Sequence, residues 1–331
     1  KIMNTIMMFS DTIAHVTVAI RGSPVNQTEY ESENEVVLIT NPAANRGQAA
    51  KVGREVLAIL EARGVKVRHE IPASPAGTRL AAEQVANSGG RLIACGGDGL
   101  IHLVAQEIAG SAATLGVIPA GSGNDFASAL GLASDLKRAV QAALSPAGQV
   151  DVLQLESGSG RRAVGVTIAT AGFSAKVNVR ADTMRWPKGS SRYTIATLRE
   201  LLNLERYELE LRVDGTEIGG VCLMVAIANT HSFGGGMKIA PAADSTDGVA
   251  EIVIVRDTRA LTLLKMLPKT FNGSHVDHPA IEFFRGSDIE LGLRPLNSEM
   301  TCQLRSDGED VGSLPQTVTV TSAGLHVAGC L

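Results

Sequence analysis

Two glycine-rich turns, Cys95-Gly96-Gly97-Asp98-Gly99 and Pro119-Ala120-Gly121-Ser122-Gly123-Asn124-Asp125, decide how this chain is read. Each follows a short apolar run, Leu92–Cys95 in the first case and Leu115–Ile118 in the second. Between them Leu100, Leu103, Val104 and Ile108 recur at helical spacing, which predicts a helix over Leu100–Ala109. Strand, turn, helix, strand, turn is a βαβ unit with both turns at the carboxyl ends of its strands. Open α/β sheets bind ligands at that edge. Glycines let backbone N–H groups close on an anion, and a helix N-terminus that follows favours negative charge. Asp98 and Asp125 then offer hard oxygen ligands to a phosphate-bound Mg²⁺. One Gly-Asp-Gly is also ordinary turn chemistry. Two such turns, each after an apolar strand and each with one carboxylate, point to a phosphate site.

Outward from this unit the pattern continues as a doubly wound α/β nucleotide domain over residues 35–147. Val36–Thr40 reads as a buried strand and Asn41–Gly47 as a loop. Gln48–Ala62 reads as a helix with Val52, Val56, Leu57 and Leu60 on one face, closed by Arg63-Gly64. Val65–His69 is the next strand; Thr78–Asn87 and Asp135–Leu144 are further helices. Beyond Pro146 the period falls to two. Tyr207, Leu209, Leu211 and Val213 alternate with Glu208, Glu210 and Arg212 before an Asp214-Gly215 hairpin turn. Val221–Ala228, Ala250–Val255, Ile281–Phe284, Ser287–Leu293 and Thr317–Thr321 also read as strands, with helices near Tyr193–Leu202 and Leu261–Phe271. Residues 148–321 are therefore expected to form a mainly antiparallel β domain, with residues 322–331 returning to the first. Residues 1–34 lack a secretory pattern and read as a leader or extension.

A net charge of -4 over 331 residues gives no sign of nucleic-acid binding, which calls for a basic face. Cys95, Cys222, Cys302 and Cys330 lack paired metal spacing and suit reduced thiols in a cytoplasmic protein. No apolar run approaches the roughly eighteen residues of a membrane span, so a lipid substrate would be met at the membrane surface. His275-Val276-Asp277-His278 reads as a solvated loop rather than a metal site. Between Lys176 and Arg192 stand Lys176, Arg180, Arg185, Lys188 and Arg192 against Asp182 alone, with Met184, Trp186 and Pro187 interleaved. One reading is a charged loop. The other is a peripheral docking element for the inner membrane face, because basic side chains attract anionic headgroups and Trp settles at the interface.

The ordered motifs resemble the diacylglycerol kinase catalytic family, which includes bacterial lipid kinases and sphingosine and ceramide kinases. Gly96-Gly97-Asp98-Gly99 and Pro119 to Ala127 carry the resemblance. So do Asn41-Pro42 after the first strand, Gly172-Phe173-Ser174-Ala175, Gly234-Gly235-Gly236-Met237, Ala240-Pro241, Asp247-Gly248 and Asp307-Gly308-Glu309. The resemblance implies an NAD-kinase/phosphofructokinase-like α/β domain, a β-sandwich, and an interdomain cleft as active site. ATP with Mg²⁺ would be the phosphate donor and a lipid hydroxyl the acceptor. Asn41, Gly96, Gly97, Asp98, Gly99, Gly121, Ser122, Gly123, Asn124 and Asp125 would bind nucleotide and metal. Asp307 would be the general base with Glu309 nearby, and Asp247 would belong to a structural Mg²⁺ site, although a plain Asp-Gly turn explains it equally well.

Two departures from the family pattern stand out. Leu100 replaces a common Thr after the first turn, as it does in sphingosine and ceramide kinases, whose following His is matched by His102. Leu103 stands where many members carry Glu. Diacylglycerol is the first-choice substrate, with a sphingoid base or ceramide second; Lys176 argues against a free sphingoid amine, near which those kinases place an acid. An NAD kinase-like enzyme and a non-catalytic nucleotide or lipid sensor are the rival readings. No Gly-Lys-Ser/Thr follows a glycine loop, which excludes a P-loop NTPase. A homodimer is compatible with the chain, and oligomeric state stays open.

Overall fold

Val36–Thr40 is buried at every position, and a strand covered on both faces belongs in the middle of a parallel sheet. The computed structural model describes residues 35–132, 134–184 and 191–330; the expected leader lies outside them. Strand β1 (Val36–Thr40) pairs in parallel with β2 (Val67–Glu70) on one side and β3 (Arg91–Gly96) on the other, and β4 (Thr114–Pro119) lies beyond β3. The helices of this region are α1 (Gln48–Ala62), α2 (Pro75–Ser88), α3 (Asp98–Ile108), α4 (Asp125–Ala129) and α5 (Leu136–Leu144). Side chains alternate along a strand, and the alternation sorts the core. Val36, Leu38, Ile93, Cys95 and Ile118 pack with α1 and α5. Val37, Ile39, Leu92, Ala94, Leu115 and Val117 pack with α2 and α3. The result is three layers. Helix α2 starts earlier than its apolar pattern, because the Ser74 hydroxyl accepts the Gly77 amide and Pro75 occupies the first turn.

The second region begins with β5 (Ala147–Ser157), β6 (Arg162–Gly165) and β7 (Ile168–Gly172), followed by α6 (Phe173–Thr183) and α7 (Ser191–Leu202). Strands β8 (Tyr207–Val213), β9 (Thr216–Ala228) and β10 (Ala250–Arg256) precede α8 (Ala260–Thr270). The chain continues through β11 (Ile281–Gly286), β12 (Asp288–Pro295), β13 (Gln303–Ser306), β14 (Glu309–Ser313) and β15 (Gln316–Ala328). Tyr207, Leu209, Leu211 and Val213 point inward and their neighbours outward, as the alternation predicts. Asp214 and Gly215 join β8 to β9 with φ of 46° and 83°, the backbone that a two-residue hairpin requires. Leu211, Ile227, Ile252, Leu291, Leu304 and Val318 share one interior cluster, the filling of a β-sandwich-like domain.

Strand β15 ties the two regions together. It runs antiparallel to β5, shifting register between Thr321 and Leu325, and its first half is antiparallel to β12. His326 and Val327 then pair in parallel with β4. One hydrogen-bonded path therefore runs β14-β13-β7-β9-β8-β12-β15-β4-β3-β1-β2. Strand β5 escapes a pattern reading because Asp151 interrupts its apolar run. Its buried carboxylate accepts the Gly248 amide at 2.7 Å and the Ala323 amide at 2.9 Å, tying two loops to the strand.

Close packing of β4 on α5 gives a test of the core. A Cβ on Gly116 would lie 2.8 Å from the Ala143 Cβ and 3.0 Å from its carbonyl oxygen. Gly116→Ala is expected to destabilise the fold by about 1–3 kcal/mol, the usual cost of overpacking. Urea unfolding measures this, and an unchanged midpoint would contradict the packing.

Candidate active site

The strand order reverses between β1 and β3, since β2 lies to one side of β1 and β3 and β4 to the other. Open sheets offer a crevice at such a point. Asn41 leaves β1 there; its amide donates to the Cys95 carbonyl at 3.1 Å and its Oδ1 accepts the Ala43 amide at 3.1 Å. Both glycine turns end at the same edge, and they are packed on each other. The Ala120 amide donates to the Gly96 carbonyl at 2.8 Å. A Cβ on Gly97 would stand 2.9 Å from the Gly121 Cα, so neither turn tolerates a side chain at the contact. Gly96 is confined from below: its Cβ would meet the Leu100 Cδ2 at 2.7 Å. Leu100 thus fills the space under the first turn.

Asn124 closes the second turn on itself. It adopts φ of 58°, its Oδ1 accepts the Gly121 amide at 2.8 Å, and its Nδ2 donates to the Gly121 carbonyl at 3.2 Å. The Gly121 amide and the Asn124 side chain, both expected to face nucleotide, are therefore occupied within the turn. Ser122 and Gly123 stay exposed at its tip.

The two aspartates converge. Asp98 is the first residue of α3 and accepts the Phe126 amide at 3.2 Å; Asp125 is the first residue of α4. A Cβ on Gly123 would lie 2.8 Å from Asp98 Oδ2 and 3.6 Å from Asp125 Oδ2, so glycine is what lets both carboxylates approach. Burial, and then the charge of Asp125, raise the Asp98 carboxyl above its ordinary range, although backbone amides oppose this. Asp125 also reaches across the cleft. It accepts the Gly234 amide at 2.8 Å and the Gly235 amide at 2.9 Å, from a run of three glycines with φ of 61°, 81° and 97°.

From the β-sandwich, the β13–β14 hairpin brings Asp307 and Glu309 to α3. Asp307 is the hairpin's turn residue, at φ of 55°. Its side chain is 1 % exposed and meets His102 Nδ1 at 2.9 Å; the His102 side chain is 7 % exposed. Asp307 Oδ1 also accepts the Thr167 amide at 2.8 Å, the Thr167 hydroxyl at 2.6 Å and the Val166 amide at 3.2 Å. Both carboxylate oxygens are thus engaged, which obstructs the expected acceptance of a lipid hydroxyl proton by Asp307 itself. Glu309 is exposed, and its Oε1 lies 3.6 Å from where a Gly99 Cβ would be. It hangs over the first glycine turn.

Other expectations need correcting. Asp247, expected at a structural Mg²⁺ site or in a plain Asp-Gly turn, pairs with Arg285 of β11 and accepts the Val249 amide at 3.2 Å. Lys176 and Arg180 are not a free basic face, because Glu205 and Glu200 pair with them, and Asp182 pairs with Arg305 at 2.7 Å. Arg185, Trp186 and Lys188 lie outside the described residues. His275 is buried against the Ile239 carbonyl at 3.0 Å, and no cluster of three metal-ligating side chains occurs among the described residues. Thr167 and the glycine pair Gly234-Gly235 are site residues that pattern reading did not assign. Thr167 has no local signal at all, whereas the triple glycine was visible.

Comparison with known proteins places both regions in one family. Residues 35–155 match the diacylglycerol kinase catalytic domain, and residues 167–329 match the YegS C-terminal NAD kinase beta sandwich-like domain. A diacylglycerol kinase of Mycobacterium tuberculosis is 32 % identical over 297 residues, spanning 88 % of this chain and 94 % of that protein. One from Bacillus subtilis is 27 % identical over 296 residues, with the same shares. A solved diacylglycerol kinase from Bacillus anthracis, 17 % identical, has the same fold with a TM-score of 0.64, covering 89 % of this chain and 96 % of that one. With two matched domains in order and a relative above 30 % identity along nearly its whole length, the chain belongs to the diacylglycerol kinase family of ATP-dependent lipid kinases.

Proposed function

We propose that this lipid kinase acts on diacylglycerol, transferring the γ-phosphate of ATP to its free hydroxyl to give phosphatidic acid. The observation that carries the reading is the convergence of carboxylates from both domains: Asp98 and Asp125 at the glycine turns, and Glu309 over Gly99. The names of the relatives favour diacylglycerol as acceptor. The hints toward a sphingoid base weaken on inspection, since Leu100 fills the space under Gly96 and His102 holds Asp307. Such an enzyme works at the cytoplasmic face of a membrane, where ATP is present. No helix among the described residues is long and apolar enough to cross one.

Asp98 and Asp125 suit a magnesium ion, because two converging carboxylates, one partly buried and raised in pKa, form a hard-oxygen pair that a cation would neutralise. Magnesium there would neutralise charge on the phosphate oxygens. The chain's own residues do the rest. Asn41, the Gly96–Gly99 turn and the Ser122–Gly123 tip line the phosphate edge, and the N-terminus of α3 adds positive potential. Glu309 takes the proton of the attacking hydroxyl. Asp307 is the positioning residue: clamped by His102, Thr167 and Val166, it fixes the hairpin that presents Glu309.

Four tests bear on this reading. Radiolabelled ATP with mixed lipid micelles is expected to label phosphatidic acid; label confined to a sphingoid base or ceramide would overturn the substrate. Glu309→Gln should lower turnover by about 10²–10⁴-fold, the worth of a positioned base, with nucleotide affinity and melting unchanged. Asp307→Asn should lower turnover and also cost about 1.5–3 kcal/mol of stability, because it disrupts buried hydrogen bonds to a charged group. A fully active Glu309→Gln enzyme would sink the assignment. Asp98→Asn should weaken Mg-ATP binding by roughly tenfold or more in a calorimetric titration. It should not weaken the free fold. A carboxyl raised in pKa stabilises the fold below its unfolded pKa and loses that contribution as pH rises through the folded one, so near neutral pH the ionised group is a cost.

A further inference from the structure

Helix α8 presents an outward face that ordinary surface helices avoid. At about 3.6 residues per turn, Leu261, Leu264, Lys265, Pro268 and Lys269 share one arc, while Met266 and Thr270 point inward and are buried. Leu261 is 61 % exposed and Leu264 40 %, and Phe271, just past the helix, is 53 % exposed. Lys265 and Lys269 are exposed, as is Arg259 ahead of the first turn, and none of the three has an ion-pair partner among the described residues. The helix contains no acidic residue. A solvent-facing arc is expected to be polar and of mixed charge; this one is apolar on one flank and cationic on the other.

We infer that the outer face of α8 is the surface on which this kinase docks to an anionic lipid bilayer. Leucine and phenylalanine enter the boundary between headgroups and acyl chains, and the lysines meet anionic headgroups at the same depth. Charge complementarity favours a bilayer over a second copy of the chain, whose own α8 would bring cations against cations. The face also lies close to the cleft. The Lys238 amide donates to the Thr270 carbonyl at 2.8 Å, and the same loop carries Gly234 and Gly235, whose amides hold Asp125. Docking on α8 therefore sets the phosphate-binding edge beside the lipid surface. The charged stretch around Trp186 is the weaker candidate, because Lys176 and Arg180 already have partners. The inference rests on the lipid-kinase reading for its purpose but is read from binding alone.

The test uses the full chain and vesicles of phosphatidylcholine with or without phosphatidylglycerol, scored by co-sedimentation. One variant carries Leu261→Ser, Leu264→Ser and Phe271→Ser; the other carries Lys265→Gln and Lys269→Gln. The parent chain is expected to bind vesicles more tightly when phosphatidylglycerol is present, and salt should weaken that binding. Each variant should lose roughly tenfold or more in affinity for the anionic vesicles. The lysine variant alters exposed side chains and keeps its melting temperature, so it decides the matter if the apolar variant fails to fold. Phosphorylation of a soluble short-chain diacylglycerol should persist in both variants while phosphorylation in vesicles falls. Unchanged vesicle binding by the lysine variant overturns the inference. So does a loss confined to a variant combining Arg185→Ala, Trp186→Ala and Lys188→Ala, or self-association without vesicle binding that the α8 variants abolish. Absence of phosphate transfer to any lipid, with vesicle binding intact, would instead count against the substrate reading and leave the docking face standing.

Discussion

The contact between Gly97 and Gly121 is the constraint on which the site depends. Two loops, each leaving a different strand, meet so closely that a β-carbon on either would collide with backbone. Once they meet, the first residues of α3 and α4 are fixed relative to each other, and those residues are Asp98 and Asp125. The glycines are therefore needed first for packing of protein on protein. Whatever they offer a phosphate follows from that. Gly123 extends the same logic to side chains, leaving room for two carboxylates that would otherwise be kept apart.

Carboxylates also hold the two domains in register. Asp125 reaches from the α/β domain to the Gly234 and Gly235 amides, and Asp307 reaches from the β-sandwich to His102. Asp151, on the strand that leads from one domain to the other, gathers the amides of Gly248 and Ala323. Each uses charge-assisted hydrogen bonds in a partly buried setting, where they are stronger than neutral ones. Their directions are fixed largely by backbone donors, and they add orientation to an apolar seam in which Leu100, Ile101 and Val104 share a cluster with Val150, Val152, Val164 and Val166.

Much of this was legible in the sequence. Val36–Thr40 and Gln48–Ala62 match the expected bounds, with Val56 and Leu60 buried on the helix as expected and Val52 and Leu57 half-buried, and the Asp214-Gly215 hairpin follows from turn chemistry. The paired turns located the sheet edge at which Asp98 and Asp125 converge, because glycine spacing is a local signal. What stayed hidden depends on distant partners. His102 and Asp307 are 205 residues apart in sequence, and nothing local announces that the histidine will bury the aspartate. Lys176 and Arg180 looked like a basic patch because Glu200 and Glu205 arrive from the next helix and the segment after it. The helix near Leu261–Phe271 was expected, but which of its leucines face solvent depends on the elements it packs against.

Strand β15 has a consequence for how the protein is made. The parallel sheet built from residues 36–119 has β4 at its edge until His326 and Val327 pair with it, and β5 and β12 share that late strand. Synthesis runs from the N-terminus, so a ribosome-bound chain carries both glycine turns long before it acquires the strand that joins the two halves. The β13–β14 hairpin, at residues 303–313, emerges just ahead of it. A fragment released before residue 303 would hold both glycine turns yet lack Asp307 and Glu309, so the carboxylates of the two domains could not converge in it.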